Sequence, residues 1–249
     1  MEPLVGFHAV EAALSSGRRT VERVWVLKGR RDNRVARLLS LAKSRGIPVQ
    51  LVEKDHLERL AAGRPRSAHQ GVVASVAGLP YADPEELLEA CGEEAILVIA
   101  DGVEDPRNLG ALVRTAAGAG AAALFIPERR TAGLGDTVAR ASAGALDMMP
   151  VARVGNLASF IKLLKKKGFW AVGLDAEAPR AWDQTSYPPR LALVVGGEGR
   201  GLRRLVRESC DEAVSIPLRG GLESLNVSVA AGICLYEAVR QRRSSKKIG

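Results

Sequence analysis

Three short stretches combine polar side chains with glycines in arrangements that could bind a ligand and do chemistry. The first is DGVEDPRNLGALVR, residues 101–114, which directly follows an apolar run. Ligands of open α/β sheets bind at the carboxyl ends of strands, so this polar cluster is a candidate site. A capped helix start with solvated charges is the alternative. Arg114 weakens it, because an arginine among small residues would be crowded unless it faced a cavity or an anion.

The second stretch is LVVGGEGRG, residues 193–201, in which glycines alternate after a strand-like run. A Rossmann-like nucleotide loop could have this pattern. Such a loop, however, normally lies near the start of its fold, and an acidic residue follows it by about 20 positions. Here only 48 residues follow Gly201, and the next strand ends at Ile216-Pro217. We therefore predict that the glycines let the backbone approach a ligand, with Glu198 carried on the loop. A plain glycine turn is the alternative.

The third stretch is IPLRGGLESLNVSVAAG, residues 216–232, which joins a glycine loop to a helix start. Free N–H groups at a helix start can serve a polar ligand, although Ser224 alone is explained more simply as a helix cap. The small residues Ser228, Ala231 and Cys234 line one side of that helix. They predict close packing, either in a core or at an interface.

The elements that must position these stretches predict two domains of the α/β class. Strand patterns at residues 21–27, 47–52 and 71–76, with a helix pattern at 34–45, predict a small first domain. From residue 95 onward, near-continuous apolar strands alternate with helices, which predicts a mostly parallel sheet covered on both faces. These strands are expected at residues 96–100, 122–126, 169–174, 191–195 and 213–216, and the helices at 106–119, 156–167 and 224–243.

Glycine and proline mark the boundary between the two domains. Residues 78–84, GLPYADP, are typical of a linker. We therefore expect a first domain at residues 1–77, a linker at 78–94, a second domain at 95–243 and a flexible tail at 244–249.

Charge is distributed unevenly along the chain. Residues 1–80 hold 14 basic and 7 acidic residues, a net +7, whereas residues 81–249 hold 22 and 21, a net +1. A basic first domain predicts a polyanionic partner. Aromatic residues make up only 4% of the chain, which argues against a base-stacking platform for single strands.

Composition also excludes several classes of protein. No apolar run reaches the ~18 residues of a membrane span, and the first residues lack the features of a signal peptide, so we expect no membrane partner. The three cysteines are far apart and form no CxxC, so neither a metal site nor a disulfide framework is expected, and a cytoplasmic location fits. All three histidines lie in the first 70 residues, which excludes a Ser-His-Asp site built from the later chain.

In order and spacing, the three stretches resemble the three motifs of the SpoU (TrmH-like) RNA ribose 2′-O-methyltransferases of the SPOUT superfamily. The first motif corresponds to Asn108 and Arg114, the second to Gly196-Gly197-Glu198, and the third to residues 224–228, SLNVS. Residues 6–10, GFHAV, and 69–73, HQGVV, are similar to the ribosomal-protein-like domain of one branch of that family. That branch methylates a guanosine ribose in the peptidyl-transferase region of bacterial 23S ribosomal RNA.

The resemblance implies a fold, a cofactor and an assembly. The second domain would contain a trefoil knot, an exception to the usual avoidance of threading. S-adenosylmethionine would bind in the knot through backbone groups near Gly196, Gly197, Ile216 and Leu225. The protein would act as a homodimer, and each active site would be able to borrow residues from the partner.

The resemblance also implies a set of functional side chains. They are Asn108, Arg114, Glu198, Ser224 and Asn226. Arg114 is the family's proposed base, although a guanidinium could equally clamp a phosphate and stabilise the developing alkoxide. The basic first domain would contact RNA phosphates through arginines that include Arg18, Arg19, Arg23, Arg30, Arg31 and Arg34.

Two alternatives stay open at this point. The same reaction could act on a transfer RNA or on another ribosomal RNA site, since the motifs are shared within the family. The chain could instead be a non-catalytic RNA-binding factor in ribosome assembly, although all the motif side chains are present.

Overall fold

A computed structural model describes residues 1–30, 32–61, 69–199 and 201–245. By their contacts, Met1–Pro80 and Leu134–Met148 form one compact unit, and Tyr81–Gly133 and Met149–Gly249 form a second. The first break in this division follows Pro80, and the domain boundary near residue 77 stays a prediction. No pattern in the sequence predicted that residues 134–148 pack with the first unit. Most of the predicted tail lies outside the described residues.

The strands and helices follow one another along the described residues in this order: β1 (Glu2–Val5), α1 (Phe7–Ser16), β2 (Val21–Leu27), α2 (Asn33–Ser44), β3 (Val49–Val52), α3 (Lys54–Leu60), β4 (Val72–Val76), α4 (Pro84–Glu89), β5 (Ile96–Asp101), α5 (Pro106–Gly118), β6 (Ala123–Pro127), α6 (Asp136–Ala141), α7 (Ala145–Met148), β7 (Val151–Val154), α8 (Leu157–Lys166), β8 (Trp170–Leu174), β9 (Arg180–Ala181), β10 (Leu191–Gly196), α9 (Arg204–Ser209), β11 (Glu212–Ser215) and α10 (Val227–Ser245).

The first unit is built on a four-stranded sheet in the order β1-β4-β2-β3, in which only β2 and β3 run parallel. Alternation in VERVWVL fully buries Val24 and Val26. Helix α2 begins where the Asp32 carboxylate accepts hydrogen bonds from the backbone N–H groups of Arg34 (3.1 Å) and Val35 (3.0 Å). The predicted strands and helix of this unit are therefore confirmed, whereas β1, α1 and α3 were not predicted.

Residues 134–148 attach to the first unit through a buried ion pair. The Arg19 Nε lies 2.7 Å from Oδ1 of Asp147, and both side chains are almost fully buried. Burial raises the pKa of Asp147, and the charge of Arg19 opposes that shift. The guanidinium of Arg19 is committed to this carboxylate, which corrects the expectation that it contacts RNA phosphates. Arg18 is half-buried beside it and donates to the carbonyl of Leu146 at 3.2 Å.

The second unit contains a seven-stranded parallel sheet in the order β7-β6-β5-β10-β8-β11-β9. This confirms the predicted parallel sheet. Strands β5 and β10 lie side by side at its centre, and every residue of β5 is buried. Because β10 is inserted between β5 and β8, strands distant in the chain end beside one another at the carboxyl edge, where ligands of such sheets bind.

Both motif helices of the second unit begin at polar caps. Helix α5 begins as predicted, with Asp105 as its cap and proline at its first position. Helix α10 was expected from residue 224 but begins at Val227. The Asn226 side chain accepts from the backbone N–H of Ser228 at 2.9 Å, so Asn226 rather than Ser224 caps this helix. Among the described residues, no helix is long and apolar enough to cross a membrane.

Candidate active site

The carboxyl ends of β5 and β10 bring the first two motifs together. Gly196 pairs with Asp101 in the register of the two strands. Asp101 is 2% exposed, and its carboxylate accepts hydrogen bonds from the Arg203 backbone N–H (2.9 Å) and Nε (2.6 Å). A buried carboxylate is costly unless it is paired in this way. Asp101 and Arg203 therefore anchor the loop that carries Glu198 to the end of β5.

The glycines of the second motif let two segments of the chain cross closely. A Cβ atom on Gly196 would lie 2.1 Å from the carbonyl carbon of Gly201, and one on Gly197 would lie 2.0 Å from the carbonyl oxygen of Gly102. Gly197 also donates a backbone hydrogen bond to the carbonyl of Asp101 at 2.8 Å. The close approach that we predicted toward a ligand is thus, at these two positions, an approach of backbone to backbone.

Side chains from all three motifs form one hydrogen-bonded chain. The Asn108 Nδ2 donates to Oε1 of Glu198. The Asn226 Nδ2 donates to Oδ1 of Asn108 at 2.8 Å, and the Ser228 hydroxyl donates to Oδ1 of Asn226 at 2.6 Å. Because every donor points toward Glu198, the two asparagines fix the position of that carboxylate. The structure therefore brings together three of the predicted functional side chains.

Arg114 is exposed on α5 and stands apart from that chain. It forms no hydrogen bond or ion pair with any residue that the structure describes. The neighbouring Thr115 faces α10, where a Cβ on Gly232 would lie 3.1 Å from its Cγ2. Arg114 is not crowded by its small neighbours, because the small residues of α5 make room for α10 instead. The guanidinium is therefore free to meet an anion.

A cleft of about 850 Å³ opens beside the glycine loop, within the usual size range of ligand pockets. All four predicted cofactor residues line it, together with Glu198 and Ser224; they are Gly196, Gly197, Ile216 and Leu225. Ser224 is exposed there and has no hydrogen-bond partner in the described part of the chain.

The charges of the cleft favour a cationic ligand. Seven carboxylates and two arginines line it, and four of the carboxylates are paired with basic side chains. Glu177, Glu198 and Glu223 form no ion pair with the described residues. Apolar side chains such as Leu202 and Ile216 line the same cleft. A ligand with an apolar ring and a net positive charge fits both features.

Cys210, whose side chain is partly buried, also lines the cleft. Burial, reinforced by the nearby Asp211 carboxylate, raises the pKa of Cys210 to about 12. The thiol is therefore neutral at physiological pH. Within the residues that the structure describes, no cluster of three metal-ligating side chains occurs.

The predicted RNA-contacting arginines differ in their exposure. Arg23 and Arg34 are exposed. Arg30 is partly covered and paired with Asp32 at 2.5 Å. Arg31 lies outside the described residues. Of the five that the structure describes, Arg23 and Arg34 are thus the arginines most accessible to a polyanion.

Sequence reasoning missed two residues of this site, Asp101 and Arg203. Asp101 is the last residue of a fully buried strand. A charged residue at the end of an apolar run indicates that its charge has a partner in the fold. Arg203 offered no signal, since its pairing with Asp101 depends on the placement of β10 beside β5. Both hold the loops in place and neither belongs to the predicted functional set.

Two family models match the chain. The model described as "SpoU rRNA Methylase family" matches residues 95–236, and the model described as "RNA 2'-O ribose methyltransferase substrate binding" matches residues 3–82.

Individual proteins are also similar over nearly the full length. The chain is 43% identical over 243 residues to "23S rRNA (guanosine-2'-O-)-methyltransferase RlmB" of Salmonella typhimurium, covering 97% of this chain and 99% of that protein. It is 41% identical to "Putative TrmH family tRNA/rRNA methyltransferase YacO" of Bacillus subtilis, covering 96% and 95%. Among solved structures, the SpoU methyltransferase AviRb from Streptomyces viridochromogenes in complex with AdoMet aligns with a TM-score of 0.78 and 26% identity, covering 97% of this chain and 90% of that chain.

Proposed function

The chain belongs to the SpoU family of RNA methyltransferases, and from that premise we propose that it methylates the ribose 2′-hydroxyl of a guanosine in 23S ribosomal RNA, with S-adenosylmethionine as methyl donor. The main support for the proposal is that Asn108, Glu198 and Asn226, one residue from each motif, are hydrogen-bonded to one another beside a cleft lined by glycines. The proposal includes a cytoplasmic location and a target nucleotide in the peptidyl-transferase region. Both agree with ribosomal RNA as the substrate.

The residues of the cleft fit S-adenosylmethionine. Its sulfonium and ammonium groups outweigh its carboxylate, which matches Glu177, Glu198 and Glu223, the lining carboxylates that form no ion pair with a described residue. Gly196, Gly197, Ile216 and Leu225 line the cleft and would hold the cofactor through their backbone groups. When bound, the cofactor supplies an activated methyl group.

What remains for the protein is to orient the 2′-hydroxyl, assist loss of its proton and exclude water. Asn108 and Asn226 hold Glu198 at the edge of the cofactor cleft, where its carboxylate positions the reacting groups. Ser224, in the loop before α10, positions the substrate or the cofactor from the same edge. The motif matches support these roles, and the hydrogen-bonded chain adds support for those of Asn108, Glu198 and Asn226.

We assign Arg114 an electrostatic role. A guanidinium stays protonated in proteins, and this one is exposed and without a paired carboxylate among the described residues. It is therefore suited to bind the phosphate next to the target ribose and to stabilise the developing alkoxide. No hydrogen bond or ion pair joins Arg114 to Glu198 among the described residues, which agrees with an active site to which two subunits contribute.

A homodimer and a trefoil knot are part of the proposal. Helix α10 leaves Val229 and Tyr236 51% and 54% exposed, and apolar side chains in that state favour a partner surface. The insertion of β10 between β5 and β8, with the backbone crossings at Gly196 and Gly197, supports a threaded chain. The substrate-binding family match and the exposed Arg23 and Arg34 support RNA contact by the first unit.

Methyl transfer from labelled S-adenosylmethionine tests this function and its main alternative together. The full-length protein is offered 23S RNA, 16S RNA and transfer RNA from cells that lack the modification. We expect label in 23S RNA alone. Label in transfer RNA alone would support the alternative substrate, for which the similarity to the Bacillus subtilis protein is the specific observation. No label in any RNA would overturn the proposed function.

A further inference from the structure

A second cleft, of about 520 Å³, lies at the carboxyl ends of β6 and β7 in the second unit. Its charged lining consists of four arginines and one glutamate; they are Arg129, Arg130, Arg203, Arg204 and Glu128. All five side chains are exposed. None of them belongs to the set of functional residues proposed above, and the positive charge of this cleft contrasts with the carboxylates of the cofactor cleft.

The arginines divide into a fixed pair and a free pair. Arg203 is held by Asp101, and Arg204 lies 2.8 Å from Glu208. Arg129 and Arg130 form no hydrogen bond or ion pair with any described residue. Arg130 also adopts a φ of 58°, which is uncommon for a residue other than glycine. Such a backbone is found where the surrounding structure imposes it, often at functional sites.

The loop that carries the free pair is fastened to the loop of the first motif. The Thr131 hydroxyl and the Ala132 backbone N–H both donate to the carbonyl of Val103, at 3.3 Å and 3.0 Å. Along the carboxyl edge of the sheet, the first motif at the end of β5 lies between the cofactor cleft beyond β10 and this cleft at β6 and β7. A strand of RNA with its reacting ribose at the first motif would therefore pass close to Arg129 and Arg130.

We propose that this arginine cleft binds backbone phosphates of the substrate RNA next to the methylated nucleotide. The planar guanidinium binds phosphate through two parallel hydrogen bonds, which suits it to fix a strand in register. The amino end of α8, at Leu157 and Ala158, also lines the cleft and adds to the positive field of the arginines. The proposal rests on the proposed function, and it adds a positioning surface on the second unit to the RNA contacts of the first.

A double substitution, Arg129→Gln with Arg130→Gln, tests the cleft. The matched control is Lys166→Gln with Lys167→Gln, which removes the same charge from two exposed lysines at the opposite end of α8, toward the amino edge of the sheet. Three quantities are measured on the full chain: the Kd for 23S RNA as a function of salt, the Kd for S-adenosylmethionine, and methyl transfer.

We expect the arginine variant to bind RNA roughly tenfold more weakly, with a dependence of log K on log salt that is shallower by about 1.4, for two contacts at about 0.7 each. Its affinity for S-adenosylmethionine stays unchanged, as do all properties of the lysine variant. Arg129→Lys with Arg130→Lys restores the salt dependence, because it restores both charges.

Unchanged RNA affinity and salt dependence in the arginine variant would overturn the proposal. So would an equal loss in the lysine variant, or a parallel loss of cofactor affinity, which would indicate a structural role. Methyl transfer by the unsubstituted protein is read separately. If it fails while the arginine and lysine variants still differ in RNA affinity, the proposed function is wrong, and the arginine cleft is an RNA-phosphate site without a methylated nucleotide beside it.

Discussion

Gly197→Ala probes the backbone crossing on which the active site depends. The added Cβ would lie 2.0 Å from the carbonyl oxygen of Gly102 and 2.7 Å from its carbonyl carbon, whereas ordinary contact begins at 3.4 Å. The obstruction is backbone, so the loop that follows β5 must move by about 1.4 Å, at an overpacking cost of about 1–3 kcal/mol. That loop leads into α5 and Asn108.

A displacement of this size has a calculable consequence for the reaction. Misplacing a reacting group by ~1 Å can cost about 10²-fold in rate, so we expect single-turnover methyl transfer to fall by about that factor. Calorimetry is expected to show weaker binding of S-adenosylmethionine, because Gly197 also lines the cofactor cleft.

Two alanine substitutions at other glycines separate the causes. Gly92→Ala meets nothing within 4 Å and is expected to leave rate, cofactor affinity and stability unchanged. Gly199→Ala also meets nothing but has a φ of 75°, so it adds backbone strain of about 1–2 kcal/mol without the collision. If Gly197→Ala transfers methyl groups and binds cofactor as the unsubstituted protein does, the crossing does not control the site and the reasoning is refuted.

Three further substitutions give distinct outcomes. Asn108→Ala removes the donor that holds Glu198. Single-turnover transfer is therefore expected to fall by about tenfold to hundredfold, with little change in the Kd of S-adenosylmethionine. An unchanged rate would contradict the positioning role of Asn108. Arg19→Met leaves Asp147 buried without its partner and is expected to lower the free energy of unfolding, measured in urea, by about 3–5 kcal/mol. Adding Asp147→Leu is expected to restore most of that loss. If the single variant is as stable as the unsubstituted protein, the buried pair is contradicted. The pKa of Cys210 is about 12 in the folded protein against about 8.5 in an unfolded chain, so the unfolded state loses that proton first and the free energy of unfolding falls as pH rises above about 8.5. Cys210→Ala is therefore expected to show a shallower fall between about pH 9 and 11, and an identical slope would argue against a buried neutral thiol.

The parallel sheet and the polar ends of its strands were predictable from local patterns. The run preceding Asp101 is apolar throughout, and Asp105-Pro106 marks a helix start by cap and proline. Both features are carried by neighbouring residues, so no knowledge of distant contacts was needed. The motif glycines predict a close approach to a ligand, whereas at Gly196 and Gly197 the close approach is to other backbone.

The partners in those approaches were not predictable, because they depend on which strands lie side by side. Gly197 meets Gly102 only because β10 is inserted beside β5. The burial of Arg19 was not predictable for the same reason, since its partner Asp147 lies far along the chain. From its place in a basic run, the sequence predicts that Arg19 contacts RNA phosphates. Counting charges cannot distinguish an arginine in water from one buried against Asp147, whose own burial no neighbouring residue signals.

Segment 134–148 shows the same limit and affects how the first unit can be studied. It lies between β6 and β7 in the chain, yet it packs with residues 1–80. Deleting residues 1–77 would uncover Asp147 and its neighbours, so loss of RNA binding after that deletion would have two causes. Substituting the exposed Arg23 and Arg34 keeps both units intact and tests the RNA contacts directly.

The identity of the methylated nucleoside tests the central claim most directly. The full-length protein is incubated with S-adenosylmethionine and unmodified 23S RNA, and the product is digested to nucleosides and separated by mass. The account predicts one new nucleoside, 2′-O-methylguanosine, formed by the unsubstituted protein and absent with Arg114→Ala. A methyl group on a base, a different nucleoside, or equal product from Arg114→Ala would contradict it.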